Sequence, residues 1–317
     1  MNLSGIHHVT VKTTDMQKCY DFYHHILGMK LVKRTVSIDD TSAHHLYFGD
    51  GTGSPGTQLS FMATHASDYR QGTNDVFAYS LRVPTDQSLY YFKLRFDEFN
   101  VNYDSVIQLN GRHALPFYDM DDRLVYLVSD ENNTGVKYGT ADIKSTVDSI
   151  HQIVGLGPIL LSVVHTLSTA SVLNQVLNFD RTGEYSHVKS AQPVQVYSIA
   201  EGGNGGELHL MQSDGLTGQS NVHHIALRAD GENKINQLLT VLETGNIPNS
   251  GEIDQFYCKS LYFKDLSGVL FEIATDLPGL TVDESEENLG STLSLPPSLN
   301  NERTAIEDNL TPINLEV

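Results

Sequence analysis

Hydrophobic and polar positions alternate through HHVTVKT near the start of the chain, the period of a half-buried strand, and the spacing then changes to the helical one of MQKCYDFYHHIL. Gly28 stops that helix, and the strand-like runs KLVKRTV, HLYFG and TQLSFM follow. The stretch from Gly5 to Met62 therefore predicts one βαβββ unit. A similar order recurs from Val76 to Ser129 (FAYSLRVP, SLYYFKLRFDEF, RLVYLVS) and from about Leu156 to Gln212 (LLSVVH, ASVLNQVLNF, VQVYSIA, ELHLMQ). The fourth copy, Asn221 to Asp276, is the cleanest: VHHIALRAD, the helical KINQLLTVLETG, a glycine-and-proline break at NIPNSG, YCKSLYF, the turn DLSG, and VLFEIATD. A unit repeated at this scale marks a modular architecture.

Each unit offers one apolar sheet face and cannot stand alone. The expected fold is α+β, with four βαβββ modules paired into two half-open barrels curled around cavities. Along the sequence, residues 1–144 hold modules one and two, and residues 145–280 hold modules three and four. The polar segment DENNTGVKYGTADIK (130–144) connects the two halves. Residues 281–317 turn acidic and then read LPPSLNNERTAIEDNL, a tail expected to pack over the body.

Charge narrows the partners. The 20 Lys+Arg against 39 Asp+Glu give 20 − 39 = −19, a field that repels nucleic acid and anionic membrane surfaces. No stretch approaches the ~20 apolar residues of a membrane span, so a soluble protein is expected. Cys19 and Cys258 are the only cysteines and no signal segment opens the sequence, which suits a reducing, cytoplasmic setting. Both read as inert thiols. A small molecule is the expected partner, and a homo-oligomer is compatible with the sequence.

Two histidine pairs stand at matching places, His7-His8 in the first unit and His223-His224 in the fourth. Neighbouring strand side chains point to opposite faces, so one member of each pair is expected to face the cavity. Alternation with Ile225 and Leu227 selects His224, and the matching step selects His8. Glu272 lies inside the apolar strand VLFEIA, where a lone carboxylate is costly unless a proton, cation or metal neutralises it. His8, His224 and Glu272 would form a two-His, one-carboxylate triad, the arrangement associated with non-haem Fe(II) and oxygen activation.

The other units act as an internal control. Ala78 stands where unit two would need His224, Pro158 falls near the His8 level of unit three, and Ser60 occupies the Glu272 level of unit one. His209 falls near that level in unit three and reads as structural. One metal per chain follows, shared by units one and four. His45 precedes LYFG and is weighed as a pocket residue, with an ordinary strand position preferred. The glycine-rich GDGTGSPG lacks GK[ST] and reads as a hairpin loop rather than a phosphate cradle.

GIHHVTVKTTD, FYHHILGMKLVKRTV and HLYFGDGTGSPGT, with VHHIAL, SLYF, SGVLFEIATD and LPP later, resemble over nearly the whole chain the ring-cleaving hydroquinone dioxygenases of the vicinal oxygen chelate superfamily. The resemblance implies one Fe(II) on His8, His224 and Glu272, with Mn(II) or another divalent metal as an alternative occupant. It implies oxidative opening of a para-hydroquinone by O2, an extradiol-type dioxygenase reaction. It places His7 and His223 beside the substrate, either one a candidate base, and sets Tyr262 in the pocket wall. At Gln255 the family carries an arginine, so a permanent cation that would steady an ionised phenol is missing. Two other readings are a glyoxalase-like or thiol-transfer metalloenzyme of the same superfamily, and a non-catalytic module that binds an aromatic ligand.

Overall fold

The computed structural model describes residues 3–37, 40–65 and 69–315. Within them the four repeats are four βαβββ modules. The first holds β1 (Ile6–Thr13), α1 (Met16–Tyr20), β2 (Lys30–Val36), β3 (His44–Gly49) and β4 (Gln58–Ala63). The second holds β5 (Asp75–Val83), α2 (Asp86–Phe99), β6 (Ile107–Leu109), β7 (Arg112–Tyr118) and β8 (Leu124–Ser129). The third holds β9 (Ile159–Val163), α3 (Thr166–Ser171), β10 (Asp180–Ser186), β11 (Pro193–Ser198) and β12 (Glu207–Gln212). The fourth holds β13 (Val222–Ala229), α4 (Glu232–Thr244), β14 (Asn249–Asp254), β15 (Cys258–Lys264) and β16 (Leu270–Pro278).

Local chemistry sets these boundaries. The Asp15 carboxylate accepts from the Lys18 amide to start α1, and the Thr85 hydroxyl accepts from the Ser88 amide to start α2. α1 and α3 each run on into a wider π-type turn, over Asp21–Ile26 and Val172–Val176. Gly28 then reverses the chain at φ +72°, where a Cβ would lie 2.5 Å from Val147 Cγ2. One element departs from the sequence pattern, because the break NIPNSG contains the start of β14. That strand sits at a sheet edge and its register shifts between Asn249 and Glu252, with Gly251 at φ +67°. An edge strand tolerates such residues because only one side needs ladder bonds.

Among the described residues the strands form two eight-stranded sheets, ordered β14-β15-β16-β13-β1-β4-β3-β2 and β10-β11-β12-β9-β5-β8-β7-β6. Modules one and four therefore share one sheet through the antiparallel β1–β13 pair, and modules two and three share the other through β5–β9. Each sheet takes one module from each half of the sequence. Alternation sends Val9, Val11, Ile225, Leu227, Phe271 and Ile273 away from the first cavity, into a continuous core with the helices and the second sheet. Among the described residues no helix is long and apolar enough to cross a membrane.

The acidic tail closes on the first sheet. Leu293, Leu295, Ile306 and Leu310 pack with Val36, and α5 (Arg303–Asn309) supplies two of these anchors with its C-terminal cap. Nearer the cavity, Leu280 and Leu289 pack on Val32 and Tyr257. The Lys33 ammonium, fully buried, reaches Asp283 at 2.7 Å, also pairs with Glu284, and lies 4.8 Å above the Tyr257 ring. Gly290 crosses β2 so closely, at φ +76°, that a Cβ there would run into the Leu31 carbonyl.

Candidate metal centre and active site

Strand register carries the candidate ligands together. Across β1–β13, His8 faces Ala226 and Thr10 faces His224, while Ala226 pairs on its other side with Glu272 of β16. The result is three donor atoms aimed at one point. His8 Nε2 and His224 Nε2 are 3.0 Å apart, and Glu272 Oε2 is 3.1 Å from the first and 2.8 Å from the second. All three residues are buried.

These contacts do not satisfy one another. Glu272 Oε1 accepts from Ser260 Oγ at 2.5 Å, but Oε2 has no hydrogen-bond partner, and among the described residues no lysine or arginine pairs with the carboxylate. Burial works against its charge, yet the neighbouring His8 and His224 hold its pKa well below the ordinary range. Burial lowers the pKa of His224, against the pull of Glu272, so the neutral imidazole is favoured. A buried carboxylate converging with two imidazole nitrogens is a donor set for a divalent cation. Bonds of about 2.1 Å at near right angles require donors about 3 Å apart, the spacing found here, and three donors leave positions open.

The two remaining histidines correct an expectation from simple alternation. Both members of each pair line the cavity. The reason is a pair of β-bulges: the β1–β13 register slips between Ile6 and His8, leaving His7 as the extra residue, and again around His223. His7 Nδ1 then lies 2.9 Å from His8 Nδ1, and His223 Nδ1 lies 2.8 Å from His224 Nδ1. With a cation on Nε2 of His8 and His224, their Nδ1–H groups would donate to these neighbours, which would fix tautomer and ring orientation. Desolvation pulls His7 down to about 3 and His223 down to about 4, so both are neutral at pH 7.

Tyr262 pairs across β15–β16 with Glu272 and sets its ring edge-on to His224, with centroids 5.5 Å apart. Burial, then the Glu272 charge, raises its pKa, so it is a neutral donor. Gln255 lies in the turn between β14 and β15 and lines the cavity together with Asp254 and Cys258. No lysine or arginine lines it among the described residues. The cavity measures about 390 Å³. A void of roughly 150 Å³ already holds benzene, so a substituted ring fits with room to spare.

Two parts of the wall, Tyr47 and the C-terminal segment, were not singled out from sequence. Tyr47 faces the cavity beside His45, with ring centroids 4.3 Å apart, and Ser60 Oγ lies 3.0 Å from His45 Nε2. Burial, and then the nearby His224 and His8, hold His45 down at about 3. Gly279, Leu280 and Pro296 of the C-terminal segment complete the lining. In the second sheet, His209 is satisfied by Glu207 at 3.1 Å and Tyr185 at 3.0 Å, and Arg112 clamps Glu207, so that cluster is structural.

Paired βαβββ modules with a His, His, Glu centre on the shared sheet define a class, and the sequence profile of the Glyoxalase/Bleomycin resistance protein/Dioxygenase superfamily matches residues 5–122 and 155–273. The chain belongs to that superfamily, as an enzyme of its ring-cleaving dioxygenase family. It is 36% identical over 99% of its length to the whole of "Putative ring-cleaving dioxygenase MhqA" of Bacillus subtilis (strain 168). It is 25% identical to the chlorohydroquinone/hydroquinone 1,2-dioxygenase of Sphingobium indicum, over 94% of this chain and 92% of that one. The crystal structure of a "putative dioxygenase" from Bacillus subtilis superposes with a TM-score of 0.87 at 30% identity, covering 99% of both chains. Glyoxalase I of Zea mays shares the fold, with a TM-score of 0.61 at 14% identity over 86% of this chain and 92% of that one.

Proposed function

We propose that the protein is an Fe(II)-dependent, extradiol-type dioxygenase that opens the ring of a hydroquinone with O2. The observation that carries this reading is the convergence of His8, His224 and Glu272 on one point in the wall of a ring-sized cavity. The relatives' names supply the reaction class and the para-diol substrate. What a redox-active divalent ion supplies when bound there is Lewis acidity toward a phenol and an electron route between ring and dioxygen.

The chain's own residues do the rest. Val36, Met62, Ile253 and Leu270 give the ring apolar contact, and Leu280 and Pro296 of the C-terminal segment add to the apolar wall. His7 and His223 hold the ligand imidazoles in the tautomer that presents Nε2. In that arrangement the Nδ1 lone pair of His223 is engaged, and its Nε2–H is the donor left for a substrate oxygen. Tyr262, kept protonated by its surroundings, donates a second hydrogen bond near Glu272.

The test is anaerobic loading with Fe(II) followed by oxygen-uptake assays. Uptake is expected with hydroquinone and methylhydroquinone and little with catechol. Equal turnover of some other substrate with Zn(II) in place of Fe(II), and no oxygen uptake, would point to Lewis-acid chemistry instead.

Gln255 bears on rate. An arginine there would return a cation to a wall that has none and would stabilise an ionised phenol. Gln255→Arg is expected to raise kcat/KM for hydroquinone by up to about tenfold, the scale of one hydrogen bond to a charged group. An unchanged value in steady-state assays would show that this wall does not contact the phenolate.

A further inference from the structure

The first sheet carries an internal two-fold relation whose two sides differ in chemistry. His8 faces Ala226 while Thr10 faces His224, so modules one and four are laid on each other by the β1–β13 pair itself. On the module-four side, Tyr262 pairs with Glu272. On the module-one side, Tyr47 pairs with Ser60 at the equivalent place. By the same relation His45 corresponds to Ser260, and Thr10 to Ala226.

The carboxylate side and its counterpart are wired alike. Ser260 Oγ donates to Glu272 Oε1, and His45 Nε2 lies 3.0 Å from Ser60 Oγ. Ser60 Oγ also lies 2.8 Å from Thr10 Oγ1, and the far nitrogen of His45 lies 3.4 Å from Tyr47 OH. Where a fourth metal donor would stand by symmetry there is instead a short hydroxyl tied back into its own wall. The wall presents an uncharged chain, Thr10–Ser60–His45–Tyr47, that ends in a phenol lining the cavity.

Both walls line one cavity, so a ligand held by one oxygen on the carboxylate side has this neutral wall available to an oxygen across the ring. We propose that Tyr47, positioned by His45 and Ser60, binds the second hydroxyl of a para-diol and thereby selects para- over ortho-diols. An ortho-diol has both oxygens on one edge of the ring and leaves Tyr47 without a substrate contact. The inference rests on the proposed substrate class but is tested without turnover.

The experiment compares binding of hydroquinone and of phenol, which lacks the second hydroxyl, to Zn(II)-loaded protein under argon by isothermal titration calorimetry. Wild type is expected to bind hydroquinone about tenfold more tightly than phenol, the scale of one well-made buried hydrogen bond. In Tyr47→Phe the preference should fall to about twofold or less with the phenol affinity unchanged, whereas a merely structural residue would weaken both ligands alike. His45→Gln should reduce the preference in the same sense. An undiminished preference in Tyr47→Phe, or none in wild type, overturns the proposal. A lost preference in Tyr47→Phe alone keeps Tyr47 and removes His45. Should the preference behave as expected while the Fe(II)-loaded enzyme consumes no oxygen, the recognition wall stands and the dioxygenase reading falls.

Discussion

Replacing Glu272 with alanine is expected to abolish retention of a divalent metal and to lower oxygen uptake at least about a thousandfold, because it removes one of three protein donors and the only anionic one. The fold should survive. In the metal-free protein its loss removes the contacts with Ser260, His8 and His224 and leaves a small void, but it also removes the desolvation cost of a buried carboxylate, and these effects oppose. Differential scanning calorimetry separates these outcomes. Without metal the variant should lie within about 1 kcal/mol of wild type. Added Mn(II) should raise the Tm of wild type by several degrees, through roughly 2.7 kcal/mol of linkage at a hundredfold excess over Kd, and leave that of Glu272→Ala unmoved. Normal turnover in the variant would refute the assignment.

Lys33→Met is expected to be the most damaging change outside the metal centre. The lysine is fully buried, and its removal leaves Asp283 and Glu284 facing each other with no cation between them. Breaking a buried pair costs about 3–5 kcal/mol, and the lower end applies because Asp283 is partly exposed. The Tyr257 hydroxyl, 3.0 Å from Asp283, recovers only part of that loss. Because the segment it anchors carries Leu280 of the cavity wall, KM for hydroquinone should rise as well. Chemical denaturation and steady-state kinetics check both effects. The matched change Lys18→Met, at a side chain 71% exposed, should cost less than about 0.5 kcal/mol. Equal effects of the two substitutions would contradict the role given to the buried charge.

The repeats, their βαβββ order and the meeting of modules one and four were legible because alternation and helical spacing are local signals, and because a histidine pair recurred at the same step of two strands. Glu272 was legible for the opposite reason, as a charge placed where local pattern demands an apolar residue. Alternation alone misjudged His7 and His223, since a bulge adds one residue to one strand and turns both members of a pair toward the same cavity. Tyr47 and His45 did carry a signal: HHLYFG alternates, with Leu46 and Phe48 on the core face and His45 and Tyr47 on the other. His45 was weighed as a pocket residue, whereas Tyr47 was not, because a tyrosine on a strand is ordinary. Nothing local in KLVKRTV marks Lys33 as buried, and its partners are the distant Asp283 and Glu284. Such pairings between residues 250 positions apart leave no trace in local periodicity, which is also why the cavity-lining tail was foreseen only as a cover.

Anomalous diffraction from a crystal grown with Mn(II) gives the most direct check on the shared centre. A single strong peak is predicted within bonding distance of His8 Nε2, His224 Nε2 and Glu272 Oε2. No peak between those three atoms at saturating metal, or a peak held by other residues, would contradict a cation gripped jointly by the first and fourth modules.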